Sequence, residues 1–137
     1  MFSPGGGTKT VFRPARGHYN RDRARVGIIN SAVFNAGFLT GGVYFDYRKT
    51  DPANPADQPL FEWREKFFAI CRKHDIAPGD ACLNFAVSAP WITAVALNPG
   101  KPQRMGHNKK VISEALPVKF WDELKSAGII HKNYPYV

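Results

Sequence analysis

The sequence predicts an α/β fold in which parallel strands alternate with helices. Two short apolar runs, at residues 26–30 and 92–97, have the composition of strands that are buried on both faces. The residues between these runs have the hydrophobic spacing of helices, and such helices can form the crossover connection that two parallel strands need. Two such strands do not form a stable sheet by themselves. We therefore expect the chain to be part of a larger α/β fold.

The composition excludes several classes of protein. The chain has 137 residues, of which 44% are hydrophobic and 22% are charged, as in a folded protein. Its longest apolar run near a strand signal, residues 92–97 with Thr93 counted, is far shorter than the roughly 20 residues of a membrane span. No secretory signal is visible, and two cysteines are too few for a disulfide framework. We expect a soluble, cytoplasmic protein with no membrane partner.

Positive charge is concentrated at the start of the chain. The formal net charge is +8, and residues 1–25 hold six basic side chains against one acidic side chain. These residues also contain many glycines and prolines without strand or helix periodicity, so we predict a disordered basic leader. An out-of-frame, non-native origin for this leader stays open, because GC-rich DNA read out of frame encodes Arg, Gly and Pro. Its arginines could also contact nucleic acid, an interpretation that we rank after incidental charge.

The first part of the remaining chain is predicted as a strand followed by loops. The strand 26–30 leads into a polar, Gly-rich stretch from Asn35 to Gly42. From Tyr44 to Gln58 the chain is aromatic, polar and Pro-rich, which predicts a long loop. Long ordered loops are often functional.

Two helices are predicted next. Asp57 is a candidate N-cap of the first helix, which should end near Asp75 because Pro78 follows. Its predicted core face consists of Leu60, Trp63, Phe67, Phe68 and Cys71. The second helix is predicted over Pro78 to Ser88. Its core face would consist of Ala81, Cys82, Phe85 and Ala86.

The rest of the chain is predicted as a strand and two helices. After the strand 92–97, residues 102–113 resemble a weak helix. Pro117 opens a final helix, with Gly128 as a left-handed stop. Its core face would consist of Val118, Trp121 and Leu124. The tail, residues 131–137, is expected at the surface.

The titratable residues show no independent catalytic pattern. The four histidines lack metal-ligand spacing, so no metal site is expected. Cys71 and Cys82 are predicted to be buried thiols rather than nucleophiles. Asp46, Tyr47 and Lys49 lie close together in one loop and are interpreted as solvated residues.

Residues 26–137 resemble the C-terminal part of aldo/keto reductases, in particular bacterial D-threo-aldose, L-fucose and pyridoxal dehydrogenases. The resemblance lies in residues 27–42, 61–67 and 94–100, and in Arg104 followed by Asn108. It implies the C-terminal portion of a (β/α)8 TIM barrel, with the last two strands and their helices. The strands 26–31 and 92–97 would be the seventh and eighth. In such barrels the loops after the strands form the active site.

The same resemblance implies a site for NAD or NADP. The loop after the first strand is similar to the one along the cofactor pyrophosphate, with Ala32 and Phe34 where the family has Ser and Leu. Gly37 falls on a family glycine that lets backbone approach the cofactor. After the second strand, Asn98 stands where the family commonly has Lys.

Arg104 and Asn108 match the family residues at the adenosine end of the cofactor. Arg104 would stack on the adenosine or hydrogen-bond with it, and Asn108 would bind the adenine edge. Because Asn98 replaces a lysine, one cation that would pair with the 2′-phosphate of NADP is absent. We therefore favour NAD over NADP, although Arg104 could accept that phosphate. We expect little cofactor binding by this portion alone.

The resemblance also implies what the chain lacks. The family's catalytic Asp, Tyr, Lys and His lie on earlier barrel strands, so no catalytic residue is assigned here. We expect a fragment of an NAD(P)-dependent reductase for a sugar or similar carbonyl or hemiacetal substrate, inactive alone. Its partner would be the missing N-terminal barrel half or another reductase chain. A non-catalytic nucleotide-binding module and a basic nucleic-acid-binding protein are the alternatives.

Overall fold

The α/β class predicted from the sequence is confirmed by the computed structural model, which describes residues 27–98 and 101–137. The predicted leader, Val26 and Pro99 lie outside these ranges. The elements in chain order are β1 (Ile28–Asn30), a 3₁₀ helix (Phe38–Thr40), β2 (Tyr44–Phe45), β3 (Arg48–Lys49), α1 (Gln58–Lys73), α2 (Pro78–Ser88), β4 (Ile92–Val95), α3 (Gln103–Ser113) and α4 (Val118–Ser126).

β1 and β4 pair in parallel, as their apolar sequences predict. Ile28 lies opposite Ile92, and Asn30 lies opposite Val95. The described residues contain no third strand beside this pair and no closed barrel. The prediction that both strands are buried on both faces is wrong for the described chain, where Ile29 is 66% exposed and no residue of either strand is buried. α2 packs against β4, and that contact covers only part of the sheet.

The segment after β1 contributes to the core more than its polar, Gly-rich sequence suggests. It contains the 3₁₀ helix, in which Phe38 and Leu39 are fully buried. The predicted long loop that follows contains a short antiparallel hairpin, β2–β3. Asp46 and Tyr47 form its turn with positive φ angles of 48° and 63°. Aspartate tolerates a left-handed conformation, but a bulky residue such as Tyr47 rarely adopts it, so the sequence did not indicate this turn.

α1 has the predicted extent but begins differently from the prediction. Asp57 occupies the N-cap position, yet its side chain makes no capping hydrogen bond. The buried Asp57 carboxylate instead accepts hydrogen bonds from the Arg48 guanidinium and the Asp51 amide. These bonds hold the pKa of Asp57 below its ordinary value of 3.8. The residue therefore closes the preceding loop instead of capping the helix.

α2 and α3 form where the sequence predicts them and pack together. The core-facing residues Ala81, Cys82 and Phe85 of α2 are buried as predicted. The Asn84 amide of α2 donates to the carbonyl oxygens of Val111 and Glu114, at the end of α3. This side chain attaches the last turn of α3 to α2.

α4 ends just before Gly128, the predicted left-handed stop. Gly128 has a φ of 72°, and the Ile129 amide donates to the Leu124 carbonyl oxygen at 2.9 Å, which is a Schellman arrangement. The predicted core face is wrong at Val118, which is 71% exposed. Phe120, which was not predicted, is buried in its place. The tail is also more buried than predicted, since Tyr134 packs on Phe85 with ring centroids 4.9 Å apart.

The core lies between the helices and the loop after β1. Aromatic, aliphatic and thiol side chains fill it. The most completely buried are Phe38, Leu39, Phe67, Cys71, Cys82, Leu83, Phe120 and Leu124. Among the described helices, none combines the length and the apolar character that crossing a bilayer requires.

Candidate functional site

The candidate site lies at the edge of the sheet where β1 and β4 end. Because the two strands are parallel and adjacent, their carboxyl ends lie at the same edge. The Ala96 amide donates to the Asn30 carbonyl oxygen at 2.8 Å, which extends the pairing to the last residue of β1. Residues 31–32 and 96–98, which lead from the strands towards the two sets of predicted cofactor residues, therefore leave the sheet side by side.

The loop after β1 presents unpaired backbone amides next to the strand. Within the described residues, no hydrogen bond uses the amides of Ala32, Val33 and Phe34. Ala32 is exposed and has a positive φ of 55°. Unpaired amides at the end of a strand are suitable donors to an anionic oxygen. Ala32 itself offers no side-chain donor, so the backbone amides are the donors at this position.

Farther along this loop, the amides are used internally. The Gly37 carbonyl oxygen accepts hydrogen bonds from the Thr40 amide, the Thr40 hydroxyl and the Gly42 amide, at 2.9–3.1 Å. Gly37 has a φ of 90°, and nothing lies within 4 Å of where its Cβ would be. The backbone at Gly37 therefore has open space beside it, and the role of Gly37 in cofactor binding stays a prediction.

α3 carries the predicted adenosine-binding pair. Arg104 is in the first turn of the helix and is exposed, and Asn108, four residues later, is half-buried. Residues four apart lie on one face of a helix. Neither side chain has a hydrogen-bond or ion-pair partner in the described part of the chain. Asn98 is exposed and precedes α3.

The first turn of α2 lies between the two candidate segments and contacts both of them. A Cβ built on Gly79 would lie 3.6 Å from Thr40 Cγ2 and 3.8 Å from Phe34 Cε1. The next residue, Asp80, has its carboxylate 2.8 Å from His107 Nε2, on α3. The first turn of α2 therefore lies next to both segments.

The sequence reasoning missed the contact between Asp80 and His107. These residues are 27 positions apart and share no motif. An acidic residue in the first turn of a helix is ordinary, because it stabilises the helix dipole. The only sequence signal was the position of His107 directly before Asn108.

These residues fit a dinucleotide in chemical character. Unpaired amides at residues 32–34 can donate to pyrophosphate oxygens, and the open backbone at Gly37 leaves room beside them. The Arg104 guanidinium can stack on a base or bind a phosphate. The Asn108 amide supplies a donor and an acceptor for a base edge.

Several other polar side chains in the described chain are exposed or are paired with neighbouring side chains. Asp46, Tyr47 and Lys49 are exposed at the hairpin, as predicted. His74 Nε2 lies 2.8 Å from the Glu123 carboxylate, which also accepts from the Lys73 ammonium. No group of three or more His, Cys, Asp or Glu side chains suited to a metal occurs among the described residues.

The two cysteines are buried thiols, as predicted. Burial raises the pKa of Cys71 to about 12 and raises that of Cys82 as well. A thiol must lose its proton to act as a nucleophile. Neither residue is therefore suited to nucleophilic catalysis in the folded chain.

Comparison with known proteins identifies the family. The sequence profile of the aldo/keto reductase family matches residues 18–129. The chain is also similar to a D-threo-aldose 1-dehydrogenase of Pseudomonas sp., with 25% identity over 104 residues that cover 76% of this chain and 31% of that protein. It thus spans less than a third of the length of this curated relative. No solved structure gives a significant match. Since the family profile covers most of the chain, the predicted resemblance is confirmed, and the chain belongs to the aldo/keto reductase family.

Proposed function

We propose that this chain supplies the cofactor-binding end of an NAD(P)-dependent aldo/keto reductase. The observation that carries the proposal is the parallel pairing of β1 with β4, which brings the loop after each strand to one edge. In a (β/α)8 barrel that edge carries the active site. The two strands would be the last two of the eight.

The chain's own residues would bind and orient the cofactor. The amides of residues 32–34 would donate to the pyrophosphate, and Gly37 would allow close approach of the backbone. Arg104 and Asn108 would hold the adenosine end. Asn98, unlike a lysine, would not pair with a 2′-phosphate, which favours NAD over NADP. The bound dinucleotide would supply or accept a hydride.

The substrate class follows from the relative. Its name specifies the oxidation of an aldose at carbon 1, which supports a sugar or a similar carbonyl or hemiacetal as substrate. We assign no catalytic residue to this chain. The acid and its neighbours, the Asp, Tyr, Lys and His of the family, would come from the rest of the barrel, within the same polypeptide or in another.

The exposure of the two-stranded sheet supports the proposal that further strands complete it. Ile29 of β1 is 66% exposed, and no third strand borders β1 or β4 among the described residues. Parallel sheets are normally covered on both faces, and bare edges promote pairing with other strands. We propose that the remaining barrel strands cover this sheet. A cytoplasmic location remains a prediction.

Titration of the full chain with NAD⁺ tests the cofactor site. We expect weak binding whose NMR amide shifts cluster at residues 32–37 and 104–108. Arg104→Met should weaken binding about tenfold, because hydrogen bonds to charged groups contribute roughly 1.5–3 kcal/mol. Lys110→Met is the matched control, since Lys110 is an exposed cation in the last turn of the same helix.

Two outcomes of this titration would contradict the proposal. Amide shifts confined to other parts of the chain would place NAD⁺ binding elsewhere. Equal affinities for the wild type, Arg104→Met and Lys110→Met would exclude Arg104 from the site. Cofactor binding without turnover after the barrel is completed would favour the alternative, a non-catalytic nucleotide-binding module.

A further inference from the structure

The Arg64 side chain of α1 reaches across to the loop that follows β1. Its Nη1 donates to the Gly42 carbonyl oxygen at 2.9 Å and lies 3.4 Å from the Phe38 carbonyl oxygen. These two oxygens lie at the 3₁₀ helix and at the end of the loop. One guanidinium thus connects both positions to α1.

The same guanidinium lies against three aromatic rings. Its central carbon is 4.4 Å from the ring centroid of Phe38, 4.8 Å from that of Phe61 and 5.6 Å from that of Phe68. Phe38 and Phe61 are themselves edge to face, with centroids 5.5 Å apart. A planar cation gains both electrostatic attraction and contact area from such rings.

This arrangement is costly for an arginine, which suggests that the contacts are specific. Arg64 Nε is buried without a hydrogen-bond partner among the described residues, and Arg64 forms no ion pair with any of them. Burial lowers the pKa of Arg64 from its ordinary value, and the Glu65 charge offsets part of that effect. A buried polar group without a partner is uncommon and calls for an explanation.

The loop itself is closed at the point that Arg64 contacts. The Gly42 amide donates to the Gly37 carbonyl oxygen at 2.9 Å, and the Gly41 amide donates to the Phe38 carbonyl oxygen at 3.1 Å. Both Gly37 and Gly41 have positive φ angles, so the loop folds back on itself. The Gly42 carbonyl oxygen, at the closing residue, points to Arg64.

We propose that Arg64 is a positioning residue that holds residues 37–42 in the conformation that receives the cofactor. The positioning role rests on the contacts above, and its link to the cofactor rests on the proposed function. Arg64 would not touch the cofactor. It would act through the carbonyl oxygens of Phe38 and Gly42.

Hydrogen exchange of the loop amides tests this role without any ligand. In Arg64→Met, the amides of Leu39, Gly41 and Gly42 should exchange about tenfold faster, because the charged hydrogen bonds that restrain the loop are lost. Arg64→Lys should give an intermediate rate, because an ammonium keeps the charge but lacks the planar fork. Amides inside α1, such as those of Ile70 and Cys71, report global stability in the same experiment.

Arg72→Met is the matched control. Arg72 is an exposed arginine in the last turn of α1. We expect its variant to exchange at the wild-type rate in the loop. Repeating all four measurements with saturating NAD⁺ should slow loop exchange in the wild type, and a higher NAD⁺ concentration should be needed in Arg64→Met.

The outcomes separate this inference from the proposed function. Unchanged loop exchange in both Arg64 variants would overturn the positioning role. The role would also fall if the loop and the α1 amides accelerated equally in both variants, since Arg64 would then act only on global stability. If the loop accelerates selectively but NAD⁺ has no effect on the wild type, the cofactor function fails while the role of Arg64 in holding the loop stands.

Discussion

A methyl group added at Gly42 would meet backbone rather than open space. The Cβ would lie 2.9 Å from the Gly37 carbonyl oxygen and 3.0 Å from its carbon. Because backbone cannot move aside like a flexible side chain, we expect Gly42→Ala to lower the free energy of unfolding by about 1–3 kcal/mol. Denaturant unfolding measures this change.

We expect substitution of Gly106 to change the free energy of unfolding in the opposite direction. This glycine lies inside α3, and nothing is within 4 Å of where its Cβ would be. Gly106→Ala should stabilise the chain by about 0.5–1 kcal/mol, because alanine is the better helix former. Equal effects of the two substitutions would contradict the close approach of Gly42 to the Gly37 backbone.

The choice between NAD and NADP can be tested at Asn98. This residue is exposed, and we propose that it stands where a lysine is common in the family. In Asn98→Lys, the added ammonium would pair with a 2′-phosphate, and an exposed pair contributes up to about 1 kcal/mol. We expect the affinity for NADP⁺ to rise about three- to fivefold relative to NAD⁺.

Asn98→Gln is the control for the change in side-chain length, and parallel titrations with the two cofactors give the ratio. If Asn98→Lys improves binding of both cofactors equally, the lysine acts through general charge instead of the 2′-phosphate. If Asn98→Lys changes the affinity for neither cofactor, Asn98 lies outside the site.

Single residues also mark where sequence reasoning failed. Asp57 has the residue type and position of an N-cap, and the sequence could not show that Arg48 would compete for its carboxylate. Val118 follows the helical spacing of Trp121, yet it is 71% exposed. Periodicity identifies a helical face but cannot identify which neighbouring element will cover it.

At the scale of the elements, Glu123 joins the end of α1 to α4. Its carboxylate accepts from Lys73 at 2.8 Å and lies 2.8 Å from His74 Nε2. These contacts, of which the one with Lys73 has the largest effect, hold the pKa of Glu123 below its ordinary value of 4.5. A lowered carboxyl pKa stabilises the folded state above the unfolded pKa. That contribution is lost as the pH falls through the folded pKa.

We therefore expect unfolding free energy to decrease as the pH falls from about 5 to about 3, and the decrease to be smaller in Glu123→Gln. Asp57, whose pKa is also lowered, should account for part of the slope that remains. Denaturant unfolding at several pH values measures both slopes. Identical slopes in the wild type and Glu123→Gln would show that the contacts of Glu123 contribute nothing to stability.

The elements differ in how far the sequence predicts them. α1 to α4 were predicted because apolar spacing, proline starts and Gly128 at a helix end have direct local causes. The hairpin β2–β3 was not, since strands of two residues leave no period and its turn contains Asp46 and Tyr47 in left-handed conformations. The 3₁₀ helix was missed because Phe38 and Leu39 stand among glycines.

At the scale of the whole molecule, the two thiols report whether the chain forms its core alone. Cys71 on α1 and Cys82 on α2 are no more than 1% exposed. Burial raises the pKa of both, so little thiolate is available. We expect both thiols to react rapidly with an aromatic disulfide only in denaturant.

The native chain should react at the slow rate of unfolding, as measured by release of the chromophore. Rapid reaction of both thiols without denaturant would show that the helical core requires other parts of a barrel. A cooperative loss of protection with denaturant would show that it does not.

The sequence predicted the fold class and the parallel pair, but not the distribution of burial. The apolar runs around Ile29 and Ala94 were interpreted as covered on both faces, whereas both residues are exposed in the described chain. Their apolar character suits a complete barrel, which this pair alone does not form. The proposed site residues Gly37, Arg104 and Asn108 came from resemblance. The contact of His107 with Asp80 came only from the structure, because it depends on how two helices pack.

The most direct test of the central claim is an assay of aldose oxidation by the purified chain, in the samples in which NAD⁺ binding has been measured. If the chain holds the cofactor end of a reductase without its reacting acid, NAD⁺ should bind weakly and no NADH should form with any aldose. Steady formation of NADH by the chain alone, abolished by Arg104→Met, would contradict the claim.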